Sequence, residues 1–231
     1  MIRRPPRSTQ SRSSAASDVY KRQPSFLFPS HIINEHHEST SGEIEVMSNS
    51  FAERTLLLID CQKGFEDPQW GERNNPDFEV NAKSILHHWR NSKRDIIHVR
   101  HSSTEDGSPL GRQKPGFAYS DWAVPQNNET EFVKRVNSCF IGTELEQFLK
   151  SKGVQKLAVL GLTTNHCIST SVRMAGNLGF DVKLVGDACA TFPRTSINGD
   201  MFDAEIIHQT ALASLHGEFC TVVDTESITR D

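Results

Sequence analysis

Six short apolar or alternating runs, separated by stretches of helical periodicity, set out the plan of this chain. Residues 55–60 read TLLLID, a continuous apolar run closed by an acid, the pattern of a strand buried on both faces of a sheet. The runs at 95–101 (DIIHVRH), 157–162 (LAVLGL), 182–185 (VKLV) and 219–223 (FCTVV) predict further strands, and 131–136 (EFVKRV) alternates. Helical spacing recurs between them. Phe78, Ala82, Ile85 and Trp89 mark a helix opened by Asn75-Pro76. Leu145, Phe148 and Leu149 follow a capping box at Thr143-Glu144-Leu145-Glu146 and stop at Gly153. Ile168, Val172, Ala175 and Leu178 form a third stripe, and Ala204, Ile207, Ala211 and Leu215 a fourth, ended by Gly217. Strands that alternate with helices in this way predict a parallel α/β sheet covered on both faces.

The junction between 157–162 and the third stripe is the most informative stretch. An apolar strand ends in Thr163, Thr164 and Asn165, and Cys167 follows in the first turn of a helix, where free N–H groups and the helix dipole favour a thiolate. Asp60 closes the first strand at the edge where open α/β sheets hold their ligands, and Lys134 lies on the third. Taken singly, each has a plainer reading: a buried filler cysteine, a solvated or capping aspartate, a surface lysine. Taken together they could divide the work of amide hydrolysis among base, nucleophile and orienting cation. His98 and His101, three apart on one strand, point to opposite faces and do not suit shared chelation. Two loops could overhang the site: 61–76, which embeds Phe65 and Trp70, and 102–130, anchored by Tyr119 and Trp122.

Composition narrows the class. Two hundred and thirty-one residues, 36% hydrophobic and 23% charged, suit one domain with a sizeable core. No apolar run reaches the roughly 20 residues that span a bilayer. The five cysteines, Cys61, Cys139, Cys167, Cys189 and Cys220, are odd in number, far apart and free of C-x-x-C pairing, which predicts a reducing, cytoplasmic setting. Residues 1–23 are basic and Ser-rich, and resemble translated sequencing-adapter sequence more than a transit peptide. Residues 1–46 are therefore read as a non-native or disordered extension, with the domain at 47–231. That extension holds six basic and five acidic side chains, so the body carries −5 against −4 for the whole chain, no footprint for nucleic acid. No G-x-G-x-x-G fingerprint appears, and neither cofactor nor metal is expected.

The segments LLLIDCQKGF, FVKRVNSCFIGTEL and LAVLGLTTNHCISTSVRMAGNLGFDVKLVGDACATF closely resemble the signature segments of the isochorismatase-like cysteine hydrolases, over about residues 54–223. The resemblance implies a three-layer α/β/α sandwich with a six-stranded parallel sheet. It implies a catalytic triad of Asp60, Lys134 and Cys167, and a non-proline cis peptide at Leu162-Thr163 that turns the N–H of Thr163, with that of Cys167, into an oxyanion hole. Phe65 matches an aromatic pocket position of the family; Trp70 and Trp122 are expected substrate contacts from their places in the two loops alone, not from the resemblance. Nicotinamidases carry a metal box of one Asp and three His after the second strand; this chain has His101-Ser102-Ser103, which argues against nicotinamide. The HSS segment and residues 163–180 look most like the subgroup of streptothricin hydrolase-like and N-carbamoylsarcosine amidase-like proteins. The implied reaction is cleavage of an amide, ureido or cyclic imide bond of a small molecule, by a homo-oligomer (dimer or tetramer). Alternatives are a catalytically silent interaction protein of the same fold, a vinyl-ether hydrolase, or a thiol redox sensor.

Overall fold

The computed structural model describes residue 51 and residues 53–230; the extension expected at 1–46 lies outside them. The chain forms β1 (Thr55–Ile59), α1 (Phe78–Asn91), β2 (Ile96–His101), β3 (Thr130–Lys134), α2 (Leu145–Ser151), β4 (Lys156–Leu162), α3 (Ser169–Asn177), β5 (Asp181–Ala190), a small hairpin of β6 (Arg194–Thr195) and β7 (Met201–Phe202), α4 (Ala204–Leu215), β8 (Thr221–Val223) and α5 (Thr225–Thr229).

Six strands make one sheet in the order β3-β2-β1-β4-β5-β8, and every pairing in it is parallel. The period-two alternation of side chains divides the core between its faces. Leu56, Leu58, Ile96, Ala158 and Leu160 pack under Phe78, Ala82, Ile85, Leu86 and Trp89 of α1 and Ile228 of α5. Leu57, Ile59, Ile97, Val99, Leu157 and Val159 meet Leu145 and Leu149 of α2, Val172 and Ala175 of α3 and Leu215 of α4 on the other face. These are the three expected layers. The chain runs outward from β1 to β3, crosses back to β4 and runs outward again, so strand order reverses between β1 and β4. A crevice opens at the carboxyl ends of the strands at such a point.

Local differences from the sequence reading have local causes. The helix expected at Asn75-Pro76 starts at Phe78, because Asn75 takes a positive φ of 48° and its amide donates to the Cys189 carbonyl at 2.6 Å. The capping box at Thr143 does not form. Its hydroxyl donates to the Cys139 carbonyl at 2.5 Å, and Glu146 pairs with Lys150 one turn on. β5 extends past Gly186 to Ala190, and the β6–β7 hairpin and α5 had no signal in the apolar pattern. The long loop after β2 folds back on the segment after β1. Gln62 and Tyr119 form an antiparallel bridge, and the buried Gln62 amide donates to the carbonyls of His101 and Phe117 while accepting from the His101 N–H.

Candidate active site

Three strands deliver the predicted triad to the switch point. Asp60 ends β1 with a φ of 56°, a left-handed turn that leads the chain out of the sheet. Lys134, the last residue of β3, lies beside His101 in register and sends its four-carbon stem across the end of β2. β4 ends in a Leu162-Thr163 peptide that is cis. Residues Thr164–Ile168 then make a wide π turn, with the N–H groups of His166 and Ile168 both donating to the Thr163 carbonyl. Cys167 lies in this turn, two residues before α3 begins at Ser169. Such single π turns recur at functional sites.

The side chains converge. Lys134 Nζ donates to Asp60 Oδ2 at 2.7 Å, to His101 Nδ1 at 3.1 Å and to Cys167 Sγ at 3.2 Å. An ammonium has three N–H donors, and each has found an acceptor. Asp60 and Lys134 are fully buried, and Cys167 is 7% exposed. A carboxylate oxygen of Asp60, an imidazole nitrogen of His101 and the Cys167 sulfur lie within 4.8 Å of one another. These donor types could gather round a metal ion, but here the Lys134 ammonium already engages all three. Asp60 Oδ1 is buried without a hydrogen-bond partner among the described residues. The Cys167 sulfur also lies 3.7 Å from Asn137 Oδ1, within reach of a weak thiol hydrogen bond.

The electrostatics correct one expectation. Burial, and then the Asp60 charge, push the Cys167 thiol well above its ordinary value against the opposing pull of Lys134. The resting residue is a protonated thiol. Burial is the largest cause, and a thiolate beside Asp60 and Lys134 would leave a buried net negative charge. Lys134 is held above the ordinary lysine value: burial works against its charge, but the Asp60 carboxylate, through its charge and its hydrogen bond, favours the ammonium. His101 is pushed down by burial and by the Lys134 charge, so it is neutral and its Nδ1 accepts.

Cys167 and Thr163 line a cavity of about 400 Å³, with Phe65, Trp70, His101, Asn137 and Arg194 among the other walls. Phe65, Trp70 and Phe192 form an aromatic group with centroids 5.7–6.2 Å apart. Trp122 is not at this cavity. The fold-back of its loop sets it edge-on to Phe78 of α1 at 5.9 Å, so it packs on the helical layer. His101, Asn137, His166 and Arg194 were not singled out as site residues from the sequence. The register of His101 beside Lys134 is the one signal that could have found any of them.

Comparison with known proteins agrees with this architecture. Residues 54–227 match the isochorismatase domain family. The isochorismatase family protein YrdC of Bacillus subtilis is 42% identical over 178 residues, 77% of this chain and 95% of its own. The crystal structure of an isochorismatase-family protein from Chromobacterium violaceum superposes with a TM-score of 0.75 at 40% identity, over 78% of this chain and 94% of its own. Relatives named for a reaction include nicotinamidase 3 of Arabidopsis thaliana, 33% identical over 76% of this chain and 86% of its own, and streptothricin hydrolase of Streptomyces noursei, 25% identical over 60% and 50%.

Proposed function

The chain belongs to the isochorismatase family, and on that premise we propose that it is a cysteine hydrolase that cleaves a carbon–nitrogen bond of a small amide, ureido compound or cyclic imide. The observation that carries this reading is the Lys134 ammonium in simultaneous contact with Asp60 Oδ2 and Cys167 Sγ at the wall of a ligand-sized cavity. Two relatives, nicotinamidase 3, named for an amide, and streptothricin hydrolase, named for a hydrolysis, support the reaction class.

Asp60 accepts the Cys167 proton through Oδ1, the oxygen that has no other partner, as the sulfur bonds to the substrate carbonyl carbon. Proton transfer at the moment of attack suits a thiol that rests protonated. The N–H groups of Thr163 and Cys167 stabilise the oxyanion, each such donor being worth about 3 kcal/mol in a water-poor site. Collapse of the intermediate breaks the carbon–nitrogen bond, and Asp60 returns its proton to the leaving nitrogen. Water then attacks the thioester, releasing the acid and restoring the thiol. Lys134 orients Asp60 throughout and balances its charge. The neutral His101 imidazole accepts from Lys134 at Nδ1 and also meets the Val136 backbone.

Ammonia release from a panel of small amides, ureido acids and cyclic imides tests the assignment. Cys167→Ala and Asp60→Ala are each expected to lower kcat about a thousandfold or more on any substrate found. Turnover that survives Cys167→Ala unchanged would overturn it.

A further inference from the structure

Arg194 is the first residue of the hairpin and lines the same cavity as Cys167. It has no ion-pair partner among the described residues, where Arg54, Arg90, Arg100 and Arg230 each have a carboxylate. Its Nη2 donates to the neutral His166 ring at 3.2 Å, and its Nε is buried with no acceptor among the described residues. Burial lowers its pKa, and no carboxylate opposes that effect. A half-buried guanidinium with an unused donor is costly unless something completes it. The segment that carries it is not loose. Phe192, 3% exposed, stacks on Phe65 at 6.2 Å, and Pro193 lies against Gly71 so closely that a Cβ there would come within 3.2 Å of the ring.

The remaining charges of the cavity point the same way. Lys134 has used all three donors on Asp60, His101 and Cys167, so it has none to offer a ligand. The lining holds Arg135 and Arg194 against Glu105, and Arg135 is exposed and likewise has no ion-pair partner among the described residues. We propose that Arg194 receives a carboxylate on the substrate, so that the molecules cleaved are small amides, ureido compounds or imides that also carry an acid group. A planar guanidinium matches a carboxylate with two parallel N–H donors, which fixes orientation as well as charge. This assignment rests on the hydrolase reading for the bond that is broken, but not for the anion site itself.

Alkylation of Cys167 separates the two. Iodoacetate and iodoacetamide both form a carbon–sulfur bond with the thiolate as iodide leaves, and they differ in a carboxylate against an amide. The ratio of their rates at Cys167, read by peptide mass spectrometry, therefore cancels the thiolate fraction and isolates recognition of the anion. In Arg194→Gln and Arg194→Met that ratio is expected to fall about tenfold or more relative to the parent, as befits loss of a hydrogen-bonded charge, with the iodoacetamide rate changed little. An equal ratio in parent and both variants would overturn the proposal. Because no turnover is needed, this result stands apart from the hydrolase reading. Conversely, Cys167-dependent ammonia release that is as fast from neutral amides as from their acid-bearing counterparts would refute the carboxylate and leave the hydrolase intact.

Discussion

The Lys134 ammonium donates to the Cys167 sulfur at 3.2 Å although its strand, β3, is separated from β4 by both β2 and β1. Only a long, buried stem can span the ends of those strands, and it delivers one cation to a base and a nucleophile at once. Removing that cation strands a buried carboxylate. Lys134→Met should cost roughly 3–5 kcal/mol in urea unfolding, because the fully buried Asp60 carboxyl is left without its partner. Asp60→Asn should be costly for the mirror reason, and the double variant should cost less than the sum by about 2 kcal/mol. Strictly additive costs would show that the pair is not coupled.

The same triangle predicts opposite effects on reactivity and turnover. Burial and Asp60 raise the Cys167 pKa and Lys134 lowers it, so Asp60→Asn removes one of the two raising influences and leaves only burial against Lys134. The pH profile of iodoacetamide labelling at Cys167 should move to lower pH, and labelling near pH 7 should quicken about tenfold for every pH unit that the profile moves. Hydrolysis should be lost at every pH, since the proton acceptor is gone. A profile that stays put or moves upward would refute the charge assignment.

The fold was legible because the strands in the middle of this sheet are buried on both faces. TLLLI and LAVLGL carry no polar interruption, and their ends marked Asp60 and the nucleophile turn. The protonation state of Cys167 was not legible, since it depends on burial and on Asp60 more than a hundred residues away in the chain. Trp122 looked like a pocket residue because aromatics in long loops often are. The bridge of Gln62 to Tyr119, which ties down the later part of a loop whose first part, with Ser103, Glu105 and Leu110, lines the cavity, is made by backbone groups and one amide, which no apolar period encodes.

That difference between the tryptophans can be measured. Trp70 lines the cavity and donates from its indole N–H to the Gly64 carbonyl at 2.7 Å, while Trp122 packs on Phe78. Trp70→Leu should raise KM severalfold for any substrate found. Trp122→Leu should lower the urea midpoint, at a cost of about 1–3 kcal/mol for a partly buried aromatic, and leave KM unchanged. A KM effect at Trp122 as large as at Trp70 would contradict the cavity assignment.

Gly161 fixes how closely β4 approaches β1. Its φ is 129°, and a Cβ there would lie 2.0 Å from the Ile59 carbonyl oxygen, one residue before Asp60. Backbone, not a yielding side chain, is what the methyl meets. Gly161→Ala should destabilise the protein by more than about 3 kcal/mol, through a clash that rotamer changes cannot relieve. Gly179→Ala offers the contrast: φ is 88° there too, but nothing lies within 4 Å of the new Cβ, so the cost should stay near 1–2 kcal/mol. Equal urea midpoints for the two variants would count against this role of Gly161.

Behind the nucleophile turn, His208 is 2% exposed, with Nδ1 2.8 Å from Thr164 Oγ1 and Nε2 3.4 Å from the Asn75 amide nitrogen. An amide nitrogen only donates, so Nε2 accepts and the ring proton sits on Nδ1, facing the hydroxyl. A second proton would point donor at donor in a dry site, and burial accordingly lowers the pKa despite the pull of Glu205. The unfolded chain takes up that proton near pH 6.5, whereas the native chain resists it. Below that pH the unfolded state binds more protons, so stability declines as pH falls and is fully present only above about 6.5. His98, which burial also lowers, adds to the same limb. His208→Gln should therefore lose stability at pH 7.5 by about 1–3 kcal/mol for the disturbed hydrogen bonds, yet show a shallower decline between pH 7 and 5 than the parent. Urea unfolding across that range measures both slopes, and parallel slopes would mean that His208 is already charged in the native state.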